Sequence, residues 1–212
     1  MYNNFIAIEG NIGSGKTTLA KKISKDLKGK LILEQFSDNP FLPKFYRDPK
    51  KYAFSLELFF MAERFQQLRD ENITNDLFNS PIISDYAFFK SKLFAQNNLR
   101  DDELSLFNKL FSSMFNSIRK PDLIVYLHSN IERIQQNINQ RGREYEKKIS
   151  NIYLKDIERK YFDYFNKQSD FPTIIFDVSK IDFVKEESMY SKILSEIAQA
   201  KKEKNTKKII LI

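Results

Sequence analysis

"GNIGSGKT", residues 10–17, is the stretch of the sequence that determines the fold, because it matches G-x-x-x-x-G-K-[ST] at every fixed position. The apolar run "FIAIEG" (5–10) ends at its first glycine, and the helical pattern "TTLAKKISKDL" (17–27) begins at its last residue. A strand, a glycine-rich turn and a helix in this order form a phosphate-binding loop, since backbone N–H groups and the helix dipole converge on one anion. The sequence therefore predicts a site for a nucleoside triphosphate.

The loop residues have distinct predicted roles in holding a nucleotide. Lys16 is expected to neutralise the β- and γ-phosphates, and the Thr17 hydroxyl is expected to ligate Mg²⁺. A nucleoside triphosphate and Mg²⁺ are therefore the predicted cofactors. The predicted nucleotide-binding residues of the loop are Gly10, Asn11, Ile12, Gly13, Ser14, Gly15, Lys16, Thr17 and Thr18.

Four further apolar runs predict the other strands of one sheet. They are rich in β-branched residues and mostly continuous rather than alternating, which is typical of parallel strands covered on both faces. Helical patterns separate them, so the sequence predicts one α/β domain over 1–212, with a five-stranded, mainly parallel sheet flanked by helices. Only the basic end, about 201–212, is expected to be loose. The four runs are "KLILEQ" (30–35), "PIISDY" (81–86), "DLIVYLH" (122–128) and "TIIFDVS" (173–179).

Composition excludes several classes of function. The sequence has no cysteine and one histidine, His128, so thiolate chemistry and histidine clusters are excluded, and His128 is interpreted as an ordinary loop residue. The formal net charge is +7, from 35 Lys+Arg against 28 Asp+Glu, but the basic residues are scattered, which argues against a nucleic-acid surface. Neither a signal peptide nor an apolar run of about 18 residues is visible, so a cytoplasmic protein with no membrane partner is expected.

Acidic residues follow the predicted strands at the edge where open parallel sheets bind ligands. Glu34 follows the second strand and Asp85 follows the third. A hydroxyl group that accepts a phosphoryl group calls for a general base within hydrogen-bond reach, and Glu34 is the predicted base. The alternative is that Glu34 caps the next helix.

The segment "QRGREYE" (140–146) lies beyond the fourth strand, at the end of a predicted helix. Arg141 and Arg143 stand two positions apart and do not share a helix face, which favours wrapping a ligand over pairing with a neighbouring helix. A lid over about 139–150 is therefore predicted, in which both arginines bind the transferring γ-phosphoryl group. The alternative is a solvated helix face of mixed charge.

Four segments together, "FIAIEGNIGSGKTT", "LEQF", "SDY" and "RGREYE", resemble the deoxynucleoside kinases in order and spacing, from Phe5 to about Phe165. Short bacterial members, including deoxyadenosine kinases, are the most similar. The resemblance implies a P-loop kinase fold with a helical lid, and phosphorylation of the 5′-hydroxyl of a deoxynucleoside with ATP. It also implies a homodimer, for which the apolar stripe from Leu104 to Ile118 is a candidate surface or, equally, part of the core.

The resemblance also assigns roles to residues near the sugar and the metal. Glu34 is implied beside the 5′-hydroxyl, and Tyr46 and Glu146 match the residues that recognise the 3′-hydroxyl. The implied metal ligands are Thr17, Glu34 and Asp85. The implied substrate-binding residues, taken together, are Glu34, Tyr46, Glu57, Arg64, Asp85, Lys90, Phe94 and Glu146.

The resemblance implies that the nucleobase lies against one predicted helix. Glu57 is a lone charge in the stretch 52–62, and Arg64 lies two turns further along the same face. Many relatives have glutamine where this chain has Glu57. An ionised carboxylate offers only acceptors and favours bases with an exocyclic amine. Amino-bearing deoxynucleosides are therefore expected to be good substrates and thymidine a poor one, and the resemblance favours deoxyadenosine.

The chain departs from the family pattern at three other places. Tyr86 stands where relatives have an arginine after the acid, and Lys90–Ser91 stands where several have an Asp–Arg pair. Asn137 replaces a third lid arginine, although Arg133 lies one turn further back.

Two alternative functions share parts of this pattern. A thymidylate-type nucleoside monophosphate kinase has a similar opening strand and loop, but its phosphorylated acceptor calls for a basic residue where this chain has Glu34. A P-loop ATPase associated with nucleic acid would use "PIISD" (81–85) as its acidic strand end, but the scattered basic residues do not form a binding surface.

Overall fold

The computed structural model describes residues 4–35, 39–70, 80–168, 171–200 and 206–210. In this part of the chain the sheet has six strands in the order β2-β3-β1-β4-β5-β6, and every neighbouring pair is parallel. The strand that precedes the phosphate loop therefore lies inside the sheet. The strands are β1 (Phe5–Gly10), β2 (Lys30–Ile32), β3 (Ile82–Ser84), β4 (Leu123–His128), β5 (Thr173–Asp177) and β6 (Thr206–Ile210).

Helices connect the strands and cover both faces of the sheet. Side-chain caps begin two of them, since Asn130 accepts a hydrogen bond from the N–H of Arg133 and Ser150 accepts one from the N–H of Tyr153. The helices are α1 (Lys16–Asp26), α2 (Leu42–Phe45), α3 (Pro49–Asp70), α4 (Lys90–Asn98), α5 (Asp101–Phe115), α6 (Ile131–Arg141), α7 (Asn151–Lys167) and α8 (Glu187–Gln199).

Alternate residues of β1 point to opposite faces of the sheet, and both faces are buried. Ile6 and Ile8 pack in the core formed with α1 and α8. Phe5 and Ala7 pack on the other side, among residues of α3, α4, α5 and α7. Burial on both faces explains why this strand reads as a continuous apolar run. Its one charged residue, Glu9, is also fully buried.

The predicted α/β fold and its five strands are confirmed. β2 and β3 are shorter than the apolar runs that predicted them, since they end at Ile32 and Ser84. Glu34 and Asp85 therefore lie just beyond the strands, at the carboxyl edge of the sheet, where open parallel sheets bind ligands.

The expectation of a loose basic tail is wrong for residues 206–210. β6 pairs in parallel with β5, from Thr173 opposite Thr206 to Asp177 opposite Ile210, and extends the sheet to six strands. The segment is rich in lysine, so its short apolar run did not stand out as a strand. Pairing with a sheet edge is also a long-range contact, which composition does not reveal. The other tail residues, 201–205 and 211–212, lie outside the described residues.

The predicted helical lid is a turn-rich connection between two helices. α6 ends at Arg141, Gly142 adopts the left-handed conformation with a φ of 73°, and α7 begins at Asn151. Glycine favours this conformation, which ends helices, and the residues that follow it form turns. The two arginines of the lid therefore stand on either side of a break in the helix.

The outer surfaces of the helices are mostly polar. Of the apolar stripe from Leu104 to Ile118, Phe107 and Phe111 are buried in the core, whereas Leu110 is 39% exposed and its neighbour Leu106 is 49% exposed. The stripe is therefore mainly core, with a small apolar surface at its edge. Among the described helices, none combines the length and apolar character required to cross a bilayer.

Candidate active site

The loop between β1 and α1 has the backbone that its glycines predict. Gly13 and Gly15 have positive φ angles of 79° and 94°, and Gly15 is the N-cap of α1. Gly10 has no room for a side chain, because a Cβ atom there would lie 2.6 Å from the carbonyl oxygen of Leu127. The loop therefore requires glycine, and it ends at the N-terminus of α1, where the helix dipole favours an anion.

One cavity of about 780 Å³ runs from this loop to α3. Gly10 and Asn11 do not line it, and the side chain of Asn11 is not available to a nucleotide. Its Nδ2 donates to the carbonyl of Leu154 at 2.8 Å, which fastens the loop to α7. The predicted residues that line the cavity are Ile12, Gly13, Ser14, Gly15, Lys16, Thr17, Thr18, Glu34, Tyr46, Glu57, Arg64, Asp85, Lys90, Phe94, Arg141, Arg143 and Glu146.

Lys16 and two buried hydroxyl groups, one in the loop and one after β4, fit a bound phosphate group. Lys16 Nζ folds back to donate to the carbonyl of Asn11 at 2.7 Å. Burial and the nearby Lys90 lower the pKa of Lys16 to about 8, although three neighbouring carboxylates oppose this shift. The hydroxyl groups of Ser14 and Ser129 are buried beside the cavity and have no hydrogen-bond partner among the described residues. Such atoms call for a partner, and a ligand oxygen would provide one.

Thr17 and Asp85 form an oxygen pair that fits a magnesium ion. Thr17 Oγ1 lies 2.5 Å from Asp85 Oδ2, and Asp85 Oδ1 accepts from the backbone N–H of Glu34 at 2.7 Å. Mg²⁺ prefers oxygen ligands and keeps several waters, so it needs few protein donors. The carboxylate of Glu34 is instead bound by Arg64 and Lys90, which does not support its predicted place among the metal ligands.

Glu34 lies between two cations. Its Oε1 accepts from Arg64 Nη2 at 2.5 Å, and its Oε2 accepts from Lys90 Nζ at 2.7 Å. Burial alone would raise the pKa of Glu34, but the two cations hold it well below its usual range. Arg64 also donates to Ser91 at 2.8 Å, so the unusual Lys90–Ser91 pair supplies partners to both charged groups. Glu34 does not cap the next helix, which begins at Leu42.

Glu57 is buried at the end of the cavity away from the loop, where only 2% of the residue is exposed. Asn98 Nδ2 donates to its Oε1 at 2.7 Å. Burial raises the pKa of Glu57 to about 7, against the opposing effects of the Asn98 hydrogen bond and the charge of Arg64. The expectation of an ionised Glu57 therefore holds only above about pH 7.

The residues predicted to form the lid lie next to the residues predicted to bind the sugar. Arg141 and Arg143 both bind Glu146. Arg141 Nη2 hydrogen-bonds to Oε2, and Arg143 Nη1 lies 3.1 Å from Oε1. Tyr46 stacks on Tyr145, with 6.0 Å between ring centroids. Since both arginines line the cavity, they are not merely part of a solvated helix face.

Contacts explain two of the departures from the family pattern. Tyr86 is fully buried, and its hydroxyl donates to Gln67 at 2.7 Å, so this position belongs to the core. Asn137 Nδ2 donates to the carbonyl of Gly13 at 2.7 Å. Asn137 therefore supports the phosphate loop from α6.

Glu9 was not identified from the sequence, although it is the buried acid nearest to the loop in the chain. Its Oε1 accepts from the N–H of Ala87 at 2.6 Å and its Oε2 accepts from the hydroxyl of Tyr161 at 2.8 Å. Burial raises the pKa of Glu9, while Lys90 and Lys16 act in the opposite direction. A charged residue inside an apolar run was the signal that could have revealed it.

The wall of the cavity beyond the phosphate loop was also not predicted from the sequence. It is formed by the segment that follows β5, together with Arg133 of α6, which lies 3.7 Å from Asp182. This segment lacks a motif, but it follows a strand at the carboxyl edge of the sheet, which could have drawn attention to it. The residues of the segment that line the cavity are Val178, Ile181, Asp182, Phe183, Val184 and Lys185.

The interpretation of His128 as a loop residue is wrong. It is the last residue of β4, with Nε2 3.5 Å from Glu158 and Nδ1 3.4 Å from Asp177. These acids raise its pKa, the contact with Glu158 most strongly. The partners come from α7 and β5, which the sequence did not indicate. His128 does not line the cavity.

The fold and the phosphate loop define a P-loop nucleotide-binding protein whose loop opens into a large cavity. The family profile described as deoxynucleoside kinase matches residues 6–201. The chain belongs to the deoxynucleoside kinase family. It is therefore an enzyme of the transferase class, and neither the monophosphate kinase nor the nucleic-acid ATPase alternative is supported.

Named relatives and a solved structure are similar to the chain over most of its length. It is 39% identical to deoxyguanosine kinase of Bacillus subtilis (strain 168) over 74% of this chain and 76% of that protein. It is 34% identical to deoxyadenosine kinase of Dictyostelium discoideum over 90% and 78%, respectively. A structure of deoxyadenosine kinase from M. mycoides with bound dATP has the same fold, with a TM-score of 0.76 at 23% identity over 90% of this chain and 98% of that chain.

The shared contact of the lid arginines with Glu146 predicts a non-additive effect on stability. Arg141→Ala and Arg143→Ala should each reduce turnover but change the free energy of unfolding by less than about 1 kcal/mol, because each pair is partly exposed. The double substitution should cost more than the sum, since it leaves Glu146, 6% exposed at its side chain, without either guanidinium. Urea unfolding of the four proteins without ligand measures this, and additive values would contradict it.

The raised pKa of Glu57 predicts a pH-dependent gain in stability from Glu57→Gln. The folded pKa of about 7 exceeds the unfolded value of 4.5, so the stability that neutral Glu57 contributes is present below the unfolded value and is lost as pH rises through 7. Glutamine does not ionise. Relative to wild type, the variant should therefore gain up to about 3 kcal/mol between about pH 5 and about pH 8. Glu63→Gln, on the same helix but outside the cavity, is the control, and parallel pH profiles of Glu57→Gln and wild type would count against the prediction.

Proposed function

We propose that the chain transfers the γ-phosphoryl group of ATP to the 5′-hydroxyl of a purine deoxynucleoside, deoxyadenosine included, in nucleotide salvage. The observation that carries the proposal is the continuous cavity that joins the phosphate loop to Glu34 and Glu57. A donor phosphate at Lys16 and an acceptor hydroxyl at Glu34 would meet in one sheltered space. The names of two relatives, deoxyguanosine kinase and deoxyadenosine kinase, support purine deoxynucleosides as acceptors.

The donor phosphates would be held from two sides. Lys16 and the loop lie on one side, and Arg141 and Arg143 reach the cavity from the lid. In phosphoryl transfer the developing charge spreads over the equatorial oxygens, so cations on both sides lower the barrier. Both arginines would exchange the carboxylate of Glu146 for phosphate oxygens as the lid closes.

Thr17 and Asp85 are the residues that would hold Mg²⁺. Their hydroxyl and carboxylate oxygens are adjacent, and Asp85 is fixed by the backbone N–H of Glu34. The ion, when bound, supplies positive charge that neutralises the β- and γ-phosphates. Asp85 would in this way link the metal position to the segment that carries the acceptor acid.

Glu34 would orient the 5′-hydroxyl and accept its proton. Arg64 donates two hydrogen bonds to Oε1, from Nε and Nη2, whereas Lys90 donates one to Oε2, so Oε2 keeps a lone pair that can accept from a hydroxyl. The low pKa makes Glu34 a weak base. A weak base suits a loose transition state, in which the hydroxyl has formed little of its new bond and has lost little of its proton.

The remainder of the acceptor would lie between the lid and α3. Tyr46 and Glu146 would bind the 3′-hydroxyl, while Phe60 and Phe94 line the region beside Glu57, where a planar base would fit. An ionised Glu57 would accept two hydrogen bonds from guanine, whose N1–H and N2 amine are both donors. Thymine has one donor between two carbonyl groups, so it would donate to one carboxylate oxygen and place an unpaired carbonyl oxygen against the other.

A homodimer formed through α5 is also proposed. Leu106 and Leu110 are exposed apolar side chains on the same helix, one turn apart. Association through this face would bury them, as the family resemblance implies.

The contact with an ionised Glu57 predicts the order of substrates at about pH 8. Deoxyguanosine should exceed thymidine in kcat/KM by roughly tenfold to hundredfold, because an unpaired buried polar group costs about 1–3 kcal/mol. Steady-state kinetics with the four deoxynucleosides and ATP measure this order, and Lys16→Ala should show no turnover. Thymidine as the best substrate, or faster turnover of nucleoside monophosphates, would overturn the proposal.

The role of Glu34 predicts a loss in kcat rather than in nucleoside binding. Glu34→Gln keeps the shape and can still hydrogen-bond to the hydroxyl, but it cannot accept a proton, so kcat should fall about 10²–10⁴-fold with a smaller change in KM. Glu34→Asp, which keeps the charge, should retain more activity than the amide. Comparison of kcat and KM for the three proteins is the test, and an unchanged kcat in Glu34→Gln would make the residue purely structural.

A further inference from the structure

The carboxyl group of Glu57 has two oxygens in different surroundings. Oε1 accepts a hydrogen bond from Asn98, and no hydrogen bond to Oε2 is found among the described residues. Glu57 lines the cavity, and Oε2 is not among the atoms that are sealed from solvent without a partner. Oε2 is therefore the oxygen that a ligand meets first. Whether it carries a proton decides whether it donates or accepts.

The two purines make opposite demands on such a group. Adenine presents an acceptor at ring N1 beside the donor amine at N6, whereas guanine presents donors at both N1 and its N2 amine. A neutral carboxyl group has one donor and one acceptor, which matches adenine. A carboxylate has acceptors only, which matches guanine and leaves adenine N1 facing a negative oxygen.

We propose that ionisation of Glu57 shifts the preference of this enzyme away from deoxyadenosine and towards deoxyguanosine. This selection rests on the proposed function, because it requires a deoxynucleoside base at Glu57. In the neutral state Oε2–H donates to adenine N1 and Oε1 accepts from the N6 amine. In the ionised state, with the base shifted along its edge, Oε1 accepts from guanine N1–H and Oε2 accepts from the N2 amine. Asn98 can stay on Oε1 in both states, since an oxygen has two lone pairs.

The groups around Glu57 keep both states accessible near neutral pH. Burial raises its pKa to about 7, and the negative charge of Glu34 acts in the same direction. Arg64 on the same helix and Asn98 and Lys90 of α4 oppose this shift. The hydroxyl of Tyr153 from α7 remains neutral, because burial raises its pKa. α2 contributes the apolar side chains of Leu42 and Phe45 to the packing around α3.

The two states of Glu57 correspond to the two bases in the names of this chain's relatives. The chain is similar to proteins named deoxyguanosine kinase and deoxyadenosine kinase, and its carboxyl group titrates between the states that suit each base. Neutral Glu57 can also pair with guanine, through N1–H and the O6 carbonyl. Deoxyguanosine therefore remains a substrate at low pH, and the change in kcat/KM with pH mainly affects deoxyadenosine.

The test is the pH dependence of the ratio of kcat/KM for deoxyadenosine to kcat/KM for deoxyguanosine. The kcat/KM values of the full chain for deoxyadenosine and deoxyguanosine are measured with ATP from about pH 6 to about pH 8. Titration of Lys16 or of ATP affects both nucleosides alike and cancels in the ratio. The ratio of deoxyadenosine to deoxyguanosine should be nearly constant below pH 7 and fall by up to about tenfold per pH unit above it, because one proton is required for one base only.

Glu57→Gln is the decisive variant, since its amide offers one donor and one acceptor at every pH. Both nucleosides should remain substrates, and their ratio should not change with pH. Glu63→Gln, on the same helix and outside the cavity, should keep the wild-type slope. Thermal unfolding checks that Glu57→Gln is folded, and if it is not, the wild-type profile alone decides.

The possible failures are distinguishable. If neither nucleoside is phosphorylated at any pH, the proposed function fails and the selection fails with it. If both are phosphorylated with a ratio independent of pH, or if only one is turned over at every pH, the function stands and the selection is overturned. If the ratio still falls with pH in Glu57→Gln, the selection is also overturned, because another group would then be titrating.

Discussion

Burial of charge at the carboxyl edge of the sheet is the constraint on which the acceptor site depends. An unpaired buried charge costs several kcal/mol, so the acids and cations there must neutralise one another. Glu34 joins Arg64 of α3 to Lys90 of α4, and Glu9 binds the N–H of Ala87 and the hydroxyl of Tyr161. These contacts hold the end of β1, the segment after β2 and three helices in one arrangement. The cavity is the space that this arrangement encloses.

Most of the fold could be predicted because its signals are local. The glycines of the phosphate loop have positive φ angles that other residues rarely adopt, and strands buried on both faces appear as continuous apolar runs. β6 could not be predicted in this way. Residues 206–210 gain their strand conformation from pairing with β5, and their lysines resemble those of a solvated tail. Within the region predicted as a lid, Gly142 ends the helix, and the segment after it forms turns.

The site was predictable where its residues share a motif or a helix face, and not where partners come from distant segments. Spacing indicated that Glu57 and Arg64 lie on one side of α3, the family resemblance implied a pocket there, and both residues line the cavity. Sequence could not show that Asn98 binds Glu57, or that Lys90 occupies an oxygen of Glu34. Those contacts span 41 and 56 residues and depend on how the helices pack. The same reason explains why the ion pairs of the Glu34 carboxylate could not be predicted.

The close approach of Gly10 to Leu127 has a consequence for how this protein can diverge. Any codon change that replaces this glycine adds a Cβ atom that clashes with a backbone oxygen, so Gly10 cannot be replaced without moving the backbone. A single nucleotide change converts the codon of Glu57 to one for glutamine, which keeps the size of the side chain and an acceptor for Asn98. Gly10 is thus closed to gradual change, while Glu57 is open to it.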